Sequence, residues 1–410
     1  MTRPAVLAFL AVLAAPPARA QQVTVEPGGP VSSVRHALDL ARPGDRILIR
    51  AGVYRESTLV VTRRVEIAGE PDAVIDFGGV QGFLIRGDSV VVRGLQLRNV
   101  ASSSMEDRSA VKVIGGADCE ISDNAIDNAF FGVYIAASHG CRVLRNRITG
   151  SGTGEGVNGN AIHLWNDTAV VVTGNIVTGH RDGIYLEFNR LARISGNESR
   201  GNNRYGLHFM FSDSCLYREN TFAENGAGVA VMYSRHVTMT GNRFADNWGG
   251  ASYGLLLKEI LDSRVDGNDF VHNTVGVYME GSNRLRFTGN TFERNGWAVR
   301  LLADASDNAF HHNRFVSNSF DVGTNSRNTE GDFHENFWDH YDGYDLDRDG
   351  YGDVPYRPVR LFSLVVQQHE PALILMRSFF IDLLDVAERV LPVLTPEALS
   401  DRKPLMRWTP

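Results

Sequence analysis

The residues of this sequence best suited to hold something are soft ones. His208 and Met210 stand two apart in Gly206-Leu-His-Phe-Met, and Met232 closes a matching stretch, Gly228-Val-Ala-Val-Met, 22 residues after Met210. Imidazole and thioether together suit Cu(I), and thioethers survive oxidants without forming disulfides. His163, beside Trp165, is a candidate outer ligand of the same set. A second constellation is hard: Asp345, Asp347 and Asp349 alternate ahead of Gly350, with Asp353 beyond, as at the opening of a calcium loop. Tyr356 stands where the bidentate Glu of an EF-hand belongs, so the loop holds a structural Ca²⁺ or is closed by its own hydrogen bonds. A third is Glu224 with Asp246, followed by His272 and Arg294, the best arrangement for glycosidase chemistry.

Whether such residues meet depends on a repeat. Asn recurs at 124, 146, 175, 197, 220, 242, 268, 290, 313 and 336, with spacings of 22, 29, 22, 23, 22, 26, 22, 23 and 23. Phe222, Phe244, Phe270, Phe292, Phe315 and Trp338 each follow such an Asn by two, and a second Asn follows by five at 225, 247, 273, 295 and 318. Helical repeats are longer, about 33 to 47 residues. Short alternating strands with Gly and Asn at the corners fit a right-handed parallel β-helix, an all-β solenoid. Asn suits corners because it tolerates left-handed backbone angles and can bond the coils above and below. The aromatic column should stack inside. The long spacings mark a Gly-rich insertion at 150–160 and a bulge near Trp248.

Register then decides which side chains face out. The residue after each opening Gly or Ala, and the one two further on, point inward; the alternates point outward. The outward pairs include His163 with Trp165, Tyr185 with Glu187, His208 with Met210, and Ala230 with Met232. Met210 and Met232 become neighbours at about 4.8 Å strand spacing. The bland alternative is a covering loop that makes these methionines ordinary packing. Met239 and Met279, and the cysteines Cys119, Cys141 and Cys215, fall on inward positions. Glu187 and Glu280 share a column but lie four coils apart, roughly 19 Å, too far to cooperate as a hydrolase pair.

The 410 residues carry a net charge of −7, which argues against nucleic acid as a partner. Arg3, the apolar run Ala5–Ala15 and Ala18-Arg19-Ala20 read as an export signal over residues 1–20. Residues 21–75 read as an N-terminal cap, with a helix over Val31–Ala41, and the first coils. The β-helix runs over 76–340 and an Asp-rich loop over 341–369. The segment 370–410 is helical: one amphipathic helix from Glu370 to Leu391, too charged to span a bilayer, and a shorter one after Thr395-Pro396-Glu397. It either covers the solenoid's open end or docks on a partner at the membrane surface.

Several segments together resemble the NosD family of nitrous oxide reductase maturation proteins. They are Gly206-Leu-His-Phe-Met-Phe-Ser-Asp213, Val229-Ala-Val-Met-Tyr-Ser234, the run from Asn336-Phe-Trp-Asp through Pro355-Tyr356, and Arg377-Ser-Phe-Phe-Ile-Asp-Leu-Leu-Asp through Pro396-Glu397. The resemblance implies a periplasmic β-helix seated on an ABC transporter, NosF with NosY. It implies copper received from the chaperone NosL and used in denitrification to build the copper–sulfur site of nitrous oxide reductase, NosZ. It assigns no individual copper ligand. The expectation is thus a non-catalytic assembly factor handling Cu(I), transiently and with sulfur as a further cargo. The alternative is a secreted carbohydrate-active β-helix lyase or hydrolase using Glu224 and Asp246.

Overall fold

The computed structural model describes residues 20–103, 105–151, 158–302, 304–326, 329, 331–376, 378–390 and 399–408. Across them the chain winds into a right-handed parallel β-helix of about 13 turns, the expected fold. Three parallel sheets run its length: sheet A of 14 strands, sheet B of 13 and sheet C of 12. All but the last residue of the expected export signal, and the centre of the Gly-rich insertion, lie outside the described residues.

The core is built of columns. Leu207, Phe209, Val229, Val231, Met239 and Met279 are buried as their alternation requires. In sheet B the rings of Phe244, Phe270, Phe292 and Phe315 stack at centroid separations of 4.7, 4.9 and 4.8 Å, and Trp338 closes the stack at 4.1 Å. Each such ring contributes roughly 2–3 kcal/mol by burial and about 1 kcal/mol more by stacking.

The corner asparagines act differently from expectation. The left-handed residue is the one before each Asn, as at Asp123, Arg145, Glu219, Gly241, Gly267 and Gly289. This explains why Gly so often precedes Asn. The Asn itself makes a ladder: Asn290 donates its main-chain N–H and its Nδ2 to Asn313 Oδ1 at 3.0 and 2.9 Å, and Nδ2 also donates to Val265 O at 2.7 Å. Asn336 ends this ladder on Asp401 of the C-terminal tail, whose Oδ2 accepts from Asn336 N, Asn336 Nδ2 and Trp338 Nε1, each at 3.0 Å. The fully buried Asp401 therefore caps the coil stack.

At the other end α1 (Val34–Leu40) closes the core, its first turn capped by Ser33 Oγ and its Val34 N–H bonded to Glu56 Oε1. The C-terminal helices differ from expectation. A helix α2 (Leu361–Gln368) forms where only loop was expected. The single helix expected from Glu370 to Leu391 is a 3₁₀ turn, Glu370–Leu375, followed by α3 (Phe379–Val390). Pro371 fits only a first turn, and i→i+3 bonds from Met376 and Ser378 tighten the chain there. The segment after Thr395 lies outside the described residues up to Leu399. Helix α2 lays Phe362 and Val366 on Val275, Trp297 and Phe320 of sheet C and packs Leu364 against the main core, and Arg300 donates to Gln367 Oε1 at 2.7 Å. Ile381 and Leu384 of α3 pack against the same cluster, while Phe379, Phe380, Leu383 and Val386 stay exposed. Among the described residues no helix is long and apolar enough to cross a membrane.

Candidate metal site on the outer face of sheet C

The strands Tyr205–Met210 and Ala227–Met232 are parallel neighbours, with His208 opposite Ala230 and Met210 opposite Met232. Period-2 alternation puts His208 and both thioethers on the outer face, over Phe209 and Val231 in the core. Both methionines are half-buried. The face is drier than expected at His208, which is 6% exposed. No loop covers it. The Tyr185 ring meets it edge-on at 5.0 Å and Tyr205 lies at 4.8 Å.

Behind His208 stands a charged pair that sequence reasoning missed. Asp182 is fully buried and accepts from Arg204 Nε at 2.9 Å and Nη2 at 2.6 Å. His208 Nδ1 lies 3.1 Å from Arg204 Nη2 and 3.5 Å from Asp182 Oδ2, and its Nε2 is buried with no hydrogen-bond partner. Burial raises the Asp182 carboxyl, but its bonds to His208 and Arg204 outweigh this and hold it below the usual carboxylate range. Arg204 can only donate to Nδ1, whereas the Asp182 carboxylate accepts from it; in the tautomer that pairs with Asp182, Nδ1 carries the proton and Nε2 is a bare nitrogen, the arrangement that orients a metal-binding imidazole. The signal was present in the sequence: in register, Asp182 stands level with Tyr205, Ala227, Tyr253 and Val275, the charged member of an otherwise uncharged column.

The other expected residues divide. His163 is sandwiched between Tyr134 and Tyr185 at 4.5 and 4.7 Å, and its Nδ1 meets Asn160 Nδ2 at 2.9 Å. Burial pushes its imidazole down to about 3, so it stays neutral. Tyr185 stands between it and His208 in the column, so the two imidazoles are about 9.6 Å apart by strand spacing. One ion cannot take both, which removes His163 from the ligand set expected with His208. Glu187 is the strand neighbour of Met210, and Tyr185 links them, its OH donating to Glu187 Oε2 at 3.0 Å and lying 3.9 Å from Met210 Sδ.

Immediately after the methionines come Phe211 and Tyr233, with Phe188 one coil below. All three are exposed and left-handed, and their rings stack at 5.2 and 5.1 Å. Bulky side chains in that backbone region are strained, and strain of this kind gathers at functional surfaces.

The remaining candidates are less enclosed. Asp345, Asp347 and Asp349 each bring one oxygen within 4.8 Å of the others, yet main-chain N–H groups already bond them, Gly350 N donating to Asp345 Oδ2 at 3.0 Å and Tyr351 N to Asp349 Oδ1 at 2.9 Å. Asp353 accepts from Leu346 N at 2.7 Å and is not among the three that converge. Glu224 pairs with Arg200 at 3.3 Å and Asp246 with His272 at 2.9 Å, on exposed corners. The cysteines are free and buried; burial pushes Cys215 up to about 12.

A family model described as "Periplasmic copper-binding protein (NosD)" matches residues 151–345, and one described as "Right handed beta helix region" matches 81–213. Over 393 residues, 90% of each chain, the protein is 30% identical to a Pseudomonas aeruginosa protein described as "Probable ABC transporter binding protein NosD". The chain belongs to the NosD family. A Stutzerimonas stutzeri protein with the same description is 29% identical over 385 residues, covering 88% of this chain and 87% of that one. Among solved structures, the catalytic domain of a GH87 α-1,3-glucanase superposes with a TM-score of 0.65 at 13% identity, covering 80% of this chain and 71% of that one, which shows the shared fold alone. The copper-binding NosD match contains His208, Met210 and Met232.

Proposed function

We propose that this NosD-family protein is a periplasmic assembly factor that receives Cu(I) transiently on the outer face of sheet C. The ligands are Met210 and Met232, with His208 Nε2 as the nitrogen donor. The observation that carries this is the buried, unpartnered Nε2 of His208, backed by Asp182 and set on the same face as two adjoining thioethers. Soft sulfur and neutral imidazole select Cu(I) over harder ions. In the reading that the family supports, copper arrives from NosL and leaves for nitrous oxide reductase, NosZ, with sulfur as a further cargo. The exposed apolar side of α3 docks on the NosF/NosY transporter at the membrane surface. The acidic loop at Asp345, Asp347 and Asp349 holds a structural Ca²⁺.

Anaerobic Cu(I) titration against a competing chelator tests the site. Met210→Ala/Met232→Ala should weaken binding at least tenfold and reduce copper loading of the reductase; unchanged binding and loading would remove the assignment. The docking surface is tested by Phe379→Ser/Leu383→Ser, which spares the Asp401 cap and should abolish co-purification with the transporter. A complex that persists refutes docking through α3. The carbohydrate reading has no observation in its favour beyond the shared fold.

A further inference from the structure

A group of side chains outside the copper reading converges where the last coil meets the C-terminal segment. Asp321 lies on the strand Phe320–Gly323, in a column occupied by Gly228, Gly254, Gly276 and Ala298 in the four preceding coils. A carboxylate replaces the smallest residues here, so packing gives no reason for it. Asp321 is 5% exposed. Its Oδ2 accepts from Tyr356 OH at 3.0 Å, while its Oδ1 is buried with no partner. Asp339 and His340, on the turn just beyond the last strand of sheet B, complete the group. His340 Nδ1 lies 3.0 Å from Asp339 Oδ1 and 3.8 Å from Asp321 Oδ2, and one ligand atom of each residue lies within 4.8 Å of the others.

We propose that Asp321, Asp339 and His340 form a binding site for one borderline divalent cation of the Zn²⁺ type. Zinc bonds to nitrogen and oxygen of about 2.0–2.2 Å place ligand atoms roughly 3.3 Å apart in a tetrahedron, which the separations at His340 bracket. Two carboxylates and one imidazole make a harder donor set than the methionine face, so the two sites select different ions. Hydrogen bonds already orient both carboxylates. Ser317 N donates to Asp339 Oδ2 at 2.6 Å, and Tyr356 holds Asp321. A cation there would give the buried Asp321 Oδ1 the partner it lacks. The consequence is local. Tyr356 pairs with Asp401 of the cap, and Arg360 starts α2, so the ion would pin the root of the segment proposed to dock.

The test is a Zn²⁺ titration of the purified full chain without an affinity tag, in an Asp345→Asn/Asp349→Asn background that silences the acidic loop. The expected result is one saturable Zn²⁺ per chain, weakened at least tenfold by His340→Gln and by Asp321→Asn, and added Zn²⁺ should slow amide exchange over residues 339–368 in the parent alone. Should Asp321→Asn fail to fold, Asp339→Asn replaces it. Absence of saturable binding, or affinities within threefold of the parent in both His340→Gln and the carboxylate variant, overturns the proposal. Met210→Ala/Met232→Ala must leave Zn²⁺ binding intact, which separates failure here from failure of the copper assignment.

Discussion

The coils between residues 216 and 338 and those between 160 and 213 share one backbone plan but treat their ladders differently. In the later coils every rung of the second Asn ladder is Asn: Asn225, Asn247, Asn273, Asn295 and Asn318 are linked Nδ2 to Oδ1, apart from the first pair, which is joined through main-chain N–H. In the earlier coils this column carries His180, below Asn202, and another corner column carries Asp167, below Asn189 and Ser212. Both are fully buried, and Asp167 Oδ2 and both ring nitrogens of His180 lack partners. The unsatisfied groups thus gather in the coils that carry Asp182 and His208. The later coils repeat satisfied Asn rungs, with Asp321 of the last coil as an exception, while the earlier coils hold buried polar groups around Asp182 and His208.

The largest expected effect lies in the regular part. Phe270→Ala removes a buried ring stacked on two neighbours and should cost about 5 kcal/mol in urea unfolding, the sum of cavity and stacking losses. A cost below about 2 kcal/mol would mean that this column is not the anchor.

Next comes Asp167. Burial pushes its carboxyl up to about 7, so the folded protein favours its neutral form. A raised folded value gives stability that is present below the unfolded value near 3.8 and lost as pH rises through 7. Three units correspond to roughly 4 kcal/mol. Asp167→Asn should therefore be the more stable protein at pH 8 and nearly equal to the parent at pH 4. Its amide keeps the Oδ1 that accepts from Ser138 N and gains the donor that Asn189 uses to reach Leu164 O. Unfolding midpoints that stay parallel from pH 4 to 8 would break the contrast between the two regions.

His180 has the opposite sign. Burial pushes it down to about 4, so its contribution is present above the unfolded value near 6.5 and lost as pH falls through 4. His180→Asn would supply the missing rung to Asn202 and should gain roughly 3 kcal/mol relative to the parent at acid pH, and less at pH 7.5. Equal acid sensitivity of the two proteins would show that His180 is solvated.

The comparison also explains what could be read from the chain. Periodicity exposed the coils, the inward Phe column and the register that makes Met210 and Met232 neighbours, because each is repeated many times at fixed offsets. Singular features were harder. Asp182 and Arg204 meet only across a coil boundary, and Asp321 reaches His340 only once the chain has turned past Trp338. The drying of His208 depends on the Tyr185 ring, which alternation marks as outward but not as covering, and on the Tyr205 ring, whose parity with Leu207 and Phe209 marks it otherwise. Asp401, 65 residues beyond Asn336, completes the ladder from a tail that the pattern assigned to helix.

The smallest effect sharpens the comparison most finely. Tyr185 OH donates to Glu187 Oε2 at 3.0 Å on a half-buried stretch of sheet C, and burial, followed by the Glu187 charge, raises the phenol. Further up the same face Lys258 meets Glu280 at 2.9 Å in the regular coils. A double-mutant cycle on Tyr185→Phe and Glu187→Gln should give a coupling of about 1 kcal/mol, the worth of a hydrogen bond to a charged, partly desolvated acceptor. The Lys258–Glu280 pair, whose ammonium is solvated, should give a smaller coupling that 1 M salt removes. If the salt-sensitive pair proves the stronger, then the stretch around Met210 is no drier than the rest of the face, and His208 loses the low-dielectric setting that makes a bare nitrogen worth keeping.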